Sequence, residues 1–277
     1  MTKTRAALLH LLVSASVVGA VLAVVFFVWY PGFLFPLAGA IDPVLIMIGV
    51  DVTLGPLLTF VVYKQGKPGL KFDLGFIFTV QLIALAYGSW TLYQERPQFL
   101  VFAKDSFTAI AARQIDRSAL RYDELRDTPA NGARLVFART PTDPEEYRAF
   151  VEGVLFEGKR DLERRAEYFE PYANGAGEIR AQAIRVGKFS PATAAERDAI
   201  LQARARFEDE HPALGLIPAR SFTEDYALLL DLETLLPLDA VRVKAWGRAD
   251  AADDTATDTG AAEASISPPA NKPDSVE

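Results

Sequence analysis

Three long apolar runs fill the first 95 positions, and shorter mixed patterns follow them. Ala6 to Tyr30 is a run of 25 residues interrupted only by His10, Ser14 and Ser16. Pro43 to Tyr63 carries Asp51 as its only charge, and Leu74 to Gln94 carries none. A helix needs about 20 such residues to cross the hydrocarbon core of a bilayer. The pattern therefore predicts three membrane helices, over about 6–30, 43–63 and 74–94, within a transmembrane region spanning 1–95. Lys3 and Arg5 would also suit a cleaved signal peptide, but the apolar core of such a peptide is only about 7–15 residues. Here the run is longer and ends in Trp29-Tyr30-Pro31, which suits an interfacial aromatic anchor.

The lysines and arginines in the short links orient the set. Lys3 and Arg5 precede the first run, the link from Pro31 to Asp42 has neither residue type, and the link from Lys64 to Lys71 holds three lysines. By the positive-inside rule the N-terminus and the second link face the cytoplasm. Three crossings then place everything after Gln94 outside, in the periplasm of a Gram-negative cell. The expected location is the bacterial inner membrane, with the lipid bilayer as the first partner.

From Pro97 the patterns shorten. Phe99 to Ala103 and Phe107 to Ala111 read as a hairpin around Lys104-Asp-Ser106, and Ala133 to Ala138 as another strand. Thr142-Asp143-Pro144-Glu145 opens a helix that runs to about Phe156. Arg160 to Tyr168 reads as a second helix. Ala192 to Glu210 reads as a third, with Ala195, Ala199, Ile200 and Ala203 at helical spacing. Tyr226 to Leu232 and Ala240 to Trp246 read as closing strands. Strands flank helices without a repeated βαβ unit, so residues 96–248 are expected to form an α+β extracytoplasmic domain. Residues 249–277 are rich in Ala, Asp, Thr, Ser and Pro, lack the apolar residues of a core, and are expected to be a disordered acidic C-terminal tail.

Charge and chemistry narrow the function. The net charge of −7 lies almost wholly in the tail, where seven acids and one lysine follow Arg248, and no basic stripe points to nucleic acid. The absence of cysteine excludes disulfides, thiol redox chemistry and Cys-based zinc sites. The two histidines are His10, in the first helix, and His211, which ends the cluster Glu208-Asp-Glu-His211. Consecutive residues point in different directions around a helix, so His211 reads as a helix-end or solvated residue rather than a metal ligand. Asn174-Gly-Ala-Gly177 lacks the flanking strand and helix of a phosphate loop and reads as a plain loop. No catalytic constellation emerges, no cofactor is implied, and the chain is not expected to be an enzyme.

The membrane half holds the candidate site. An aspartate near the midplane costs about 2.5–3.5 kcal/mol on insertion scales, so Asp51 needs a partner or a cleft. Gln81 lies at a similar depth of its own run, and a hydrogen bond between the two would partly offset that cost. Pro56 removes a backbone bond and its ring meets the carbonyl of Val52, so Gly55-Pro56 predicts a kink just past Asp51. Small residues spaced by four, Ala15, Gly19 and Ala23 on the first helix and Ala84 and Gly88 on the third, allow close helix approach. Two readings of Asp51, Gly55, Pro56 and Gln81 stay open: packing between the chain's own helices, or docking of a foreign one.

Trp29-Tyr30-Pro31, the string Gly49 to Thr59 (GVDVTLGPLLT), Lys71-Phe72-Asp73-Leu74, the segment Gln81 to Gly88 (QLIALAYG) and Arg96-Pro97 together resemble the type IV pilin accessory proteins of the TfpX/TfpZ type. The resemblance is dense over 25–105 and thinner to about Trp246. It implies an inner-membrane protein that assists pilin stability, pilus assembly or surface display. Its partners would be a type IV pilin and other pilus assembly proteins. The alternatives are a membrane-anchored periplasmic sensor, for which the chain leaves little cytoplasmic output, or a transporter-associated subunit, which would usually have more helices.

Overall fold

The computed structural model describes residues 2–243 apart from 128, 157, 159, 222 and 223. The expected tail and the end of the last expected strand lie outside the described residues. Three long helices come first: α1 (Lys3–Trp29), α3 (Ile41–Val62) and α4 (Leu70–Glu95), with the single-turn helix α2 (Leu34–Leu37) in the first link. By length and apolar composition all three are sufficient to cross a membrane. Each extends beyond its apolar run. The α1 helix begins at Lys3 because the Thr2 side chain caps the Arg5 amide. The α4 helix begins at Leu70, after Gly69 turns the chain with φ +79°, and Lys67 pairs with Asp73 across that turn at 2.6 Å.

The remaining elements form a mixed eight-stranded sheet with helices on it. Its strands are β1 (Pro97–Ala103), β2 (Ser106–Ala111), β3 (Arg134–Ala138), β4 (Phe169–Pro171), β5 (Ile184–Arg185), β6 (Leu214–Arg220), β7 (Asp225–Asp231) and β8 (Pro237–Val243). The order is β4-β3-β1-β2-β6-β7-β8, with β5 also paired to β6. The β1–β2 hairpin turns at Lys104, where φ is +59°. The β1–β3 and β2–β6 pairs are parallel and the others antiparallel. This is the α+β class expected.

Strand alternation divides the core into two layers. Leu100 and Phe102 face one side with Phe107, Phe137, Ile217 and Leu228. Phe99, Val101 and Ala103 face the other with Val136 and Phe169, under helix α5 (Pro144–Phe156) and its Phe150. Asp143 caps α5 through the amides of Glu145 and Glu146, both at 3.0 Å. Helix α6 (Ala176–Gln182) buries Ile179 in the first layer, and helix α7 (Ala194–Phe207) covers β6 to β8 with Ile200 and Ala203.

The first layer has an unexpected member. Leu34 and Leu37 of α2 are buried in it, at 5% and 1% exposure, so the link between the first two long helices completes the interior of the sheet domain. The Gly132 amide also donates to the Val28 carbonyl at 3.2 Å, tying the domain to the end of α1.

Several expectations are corrected. Arg160 to Tyr168 is not a helix but two 3-10 turns, Leu162–Arg164 and Ala166–Tyr168. Arg165 between them is extended and buried, held by Glu167 at 2.9 Å and stacked on Phe150 and Tyr168. Asn174 to Gly177 is not a plain loop: β4 precedes it, it forms a 3-10 turn, and α6 continues from it. Gly175 is needed there because a Cβ would lie 2.5 Å from the Phe137 ring. The last expected strand begins at Pro237, earlier than Ala240. The buried stripe of α7 runs through Glu196, Ile200 and Ala203, whereas Ala195 is exposed. Glu196 is buried because its carboxylate accepts from the Ala192 amide at 2.9 Å, while the Thr193 side chain caps the helix by accepting from the Glu196 amide at 3.2 Å.

Candidate functional site

The structure brings Asp51, Gly55, Pro56 and Gln81 together, and the reason lies in the backbone of α3. The helix widens to π geometry over Gly49–Leu54, so the Gly55 amide donates to Val50 rather than to Asp51. In that wider register the Asp51 carbonyl would pair with residue 56, which is proline and has no N–H. The carbonyl is thereby orphaned in apolar surroundings. The Gln81 side-chain amide, reaching across from α4, donates to it at 3.0 Å. The expected Asp51–Gln81 bond is therefore made through the main chain, and the expected disturbance at Gly55-Pro56 takes the form of a π turn.

Gly55 has a specific role. A Cβ there would lie 2.0 Å from Gln81 Nε2 and 2.5 Å from Oε1, so only glycine leaves room for the amide. One proline creates the orphan carbonyl, one glycine opens the way to it, and one glutamine fills it.

The bond leaves two oxygens over. Asp51 is 3% exposed and Gln81 is 8% exposed, and neither Asp51 Oδ2 nor Gln81 Oε1 has a hydrogen-bond partner among the described residues. On the α1 side Asp51 and Gln81 line a small pocket of about 30 Å³ with Ser14. On the other side Asp51 lies at the edge of an open groove of about 380 Å³ between α3 and α4. The groove includes Ile46, Met47, Ala84, Tyr87 and Gly88, and a Cβ at Gly88 would meet Met47 at 3.8 Å. Ala84 and Gly88 thus line the groove. Ala15, Gly19 and Ala23 face outward from α1, with nothing within 4 Å of a Cβ at Gly19.

A second polar contact escaped the sequence reading. His10 Nδ1 lies 2.5 Å from Thr59 Oγ1, joining α1 to α3, and Thr59 is buried. The signal was the spacing: Asp51, Gly55 and Thr59 recur every four residues on α3, and His10 and Ser14 do so on α1. At the domain end of the bundle the Tyr30 hydroxyl donates to the Leu92 carbonyl at 2.7 Å, and Trp29 packs edge-on against Tyr93. The Arg96 guanidinium sits 3.8 Å above the Tyr93 ring.

The sheet domain offers ion pairs rather than a reaction centre. Arg139 clamps α5 to β4 through Glu146 at 2.9 Å and Glu170 at 3.1 Å. His211 does not end the helix as expected: α7 stops at Phe207, a turn follows, and His211 faces Asp231 Oδ2 at 3.3 Å. Among the described residues no group of His, Asp and Glu is arranged to hold a metal.

The class is then a bundle of three helices long and apolar enough to cross a membrane, carrying an α+β head. The chain is 30% identical to the serogroup E1 fimbrial assembly protein of Dichelobacter nodosus over 246 residues, covering 84% of this chain and 93% of that one. It is 31% identical to the serogroup I fimbrial assembly protein over 62% of this chain and 68% of that one, and 34% identical to that of serogroups C1 and C2 over 42% and 87%. A family model described as fimbrial assembly protein FimB matches residues 1–34. The chain belongs to the fimbrial assembly protein family. No solved structure matches it.

Proposed function

We propose that this protein is an inner-membrane accessory factor of the TfpX/TfpZ type, which assists type IV pilin stability, pilus assembly or surface display by binding pilin. The observation that carries the reading is the kinship with fimbrial assembly proteins along most of the chain. The architecture supports it: an apolar three-helix bundle suits a partner whose own helix waits in the bilayer, and the head suits contact with that partner's soluble part. The role is mechanical rather than catalytic and uses no cofactor.

The N-terminus is cytoplasmic and the head periplasmic. The lysine count supports this orientation, and the packing of α2 into the head supports the three crossings, which put the first link and the head on one side. The tests are direct. A periplasm-only reporter fused after Trp246 is active, and one at Gly66 is silent; the reverse pattern overturns the orientation. Deletion lowers the number of surface pili, and pilin crosslinks to the protein in detergent extracts. Normal piliation with no pilin recovered refutes the reading.

A further inference from the structure

The sheet stands with one end on the helical bundle, and the strand register says which end. β1 leaves α4 at Pro97, β2 returns with Ala111 opposite Pro97, and the Arg113 guanidinium pairs with Glu95, the last residue of α4. Trp29, Trp90 and Tyr93 cluster within two turns of Glu95, the residue types that favour a membrane–water boundary. Helix α5 ends at the same level. It starts beyond the far end of β3, where Glu146 pairs with Arg139, and its 13 residues carry it about 20 Å back. There Arg160 donates to the Gln114 carbonyl, next to Arg113 in the chain.

Between these pieces lies an open hollow of about 670 Å³. Arg113, Arg160, Arg164 and Arg165 line it, against the carboxylates of Asp116 and Glu167. The carboxylates here are already engaged: Glu95 by Arg113, Glu167 by Arg165, and Asp116 by the amide and hydroxyl of Ser118. Arg160 is exposed and spends one of its five N–H donors on the Gln114 carbonyl. The rim adds an apolar pair. Leu155 and Phe156, at the end of α5, are 68% and 81% exposed, more than any other large apolar side chain of the head among the described residues. Gly158 lines the hollow, so the Phe156 backbone stands within about 7 Å of its edge.

We propose that this hollow seats the phosphate of an anionic phospholipid headgroup, and that Leu155 and Phe156 enter the bilayer surface beside it. The head then rests on the membrane that its three helices cross. The inference requires those helices to lie in a bilayer and does not involve pilin. Guanidinium groups at the level of the helix ends select phosphate, which an arginine fork holds through paired N–H donors. Arg113 and Arg160 are the exposed contacts, whereas Arg165 is buried and adds to the field. An anionic lipid is favoured over a zwitterionic one, because the carboxylates that could meet a lipid ammonium are held by Arg113, Arg165 and Ser118. Exposed apolar side chains next to arginines are also the composition of surfaces that lie in a membrane interface.

The test uses the full chain in nanodiscs, without pilin. The chain has no cysteine, so Leu155→Cys carries a single fluorophore, and Leu236→Cys carries the control. Leu236 lies at the far end of the sheet: β7 ends with Asp231 opposite Leu214, where β6 starts, and β6 runs parallel to β2 toward the helices. The discs hold phosphatidylcholine alone, or phosphatidylcholine and phosphatidylglycerol in equal parts, with a headgroup nitroxide on a minor share of the lipid. Quenching at position 155 is stronger with phosphatidylglycerol, and position 236 stays unquenched. Arg160→Gln, an exposed substitution, lowers the apparent affinity for phosphatidylglycerol about fivefold, the contribution of one basic residue near an anionic surface. Phe156→Ser weakens the quenching with every arginine in place. Equal quenching at 155 in both lipids overturns the proposal and leaves the hollow to an acidic protein partner. A phosphatidylglycerol effect that Arg160→Gln leaves unchanged overturns it too. Inorganic phosphate titrated calorimetrically into the phosphatidylcholine discs gives no saturable heat; a heat that Arg160→Gln removes assigns the hollow to a soluble anion instead of a lipid.

Discussion

The sharpest test of the polar node is a mutation that changes sign with its background. Gly55→Ala puts a Cβ 2.0 Å from Gln81 Nε2, 2.4 Å from Cδ and 2.5 Å from Oε1, so the amide must leave. Gln81 can swing away, and the cost is then the Asp51 carbonyl left unpaired in an apolar interior, about 1–3 kcal/mol. Alanine in place of glycine in a helix returns about 1 kcal/mol. The net loss is about 1 kcal/mol in the wild-type chain. In a Gln81→Ala background the carbonyl is already unpaired and the three atoms nearest the Cβ are gone, so the same substitution stabilises by about 1 kcal/mol. The coupling between the two positions is therefore about 2 kcal/mol. It is measured as a double-mutant cycle on the full chain in detergent or bicelles, with unfolding followed by intrinsic fluorescence. If Gly55→Ala has the same effect in both backgrounds within about 0.5 kcal/mol, Gln81 does not occupy that space and the argument fails.

Two further outcomes follow from the head. Leu37→Ala empties a site in the sheet-domain core and costs about 2–5 kcal/mol, read as faster proteolysis of the head although the mutation lies in the link between two long helices. Asp231 titrates below the ordinary aspartate range: burial pushes its carboxyl up, but the amides of Glu233 and Thr234, the Thr234 hydroxyl and His211 outweigh it. A depressed folded-state pKa gives stability that is present above about pH 4 and lost as pH falls through the lower folded value. Asp231→Asn is therefore most destabilising at neutral pH and closes on the wild type toward pH 3 in denaturant titrations; a gap independent of pH refutes this.

Periodicity made the three long helices legible, since nothing but a membrane or a large core hides such runs as Ala6 to Tyr30. It also gave the β1–β2 hairpin, β3, α5 and α7, where short apolar runs, a capping aspartate or helical spacing is written locally. It missed β6. Leu214 to Arg220 is buried almost throughout and contains Pro218, so neither alternation nor propensity marks it. The 160–168 segment was misread because its composition is helical while the environment of Arg165 is tertiary. Within the site, proximity of Asp51 and Gln81 was legible from depth alone. That Gln81 serves the main-chain carbonyl was not, because it depends on which amide Val50 captures in the π turn. The spatial meaning of Gly55 likewise needs α4 in place.

The packing of Leu34 and Leu37 into the sheet has a consequence for how the protein can be cut and how it can move. A head joined to its anchor only by a single connector would swivel, and a protease acting after Arg96 would set it free intact. Here such a cut removes one wall of the head's interior, because that wall was made before α3 and lies in the anchor's half of the chain. The head is also denied rotation about the end of α4. The distance and bearing from Asp51 to the sheet are therefore set by more than one joint, a gauge against which any second protein touching both ends must be measured.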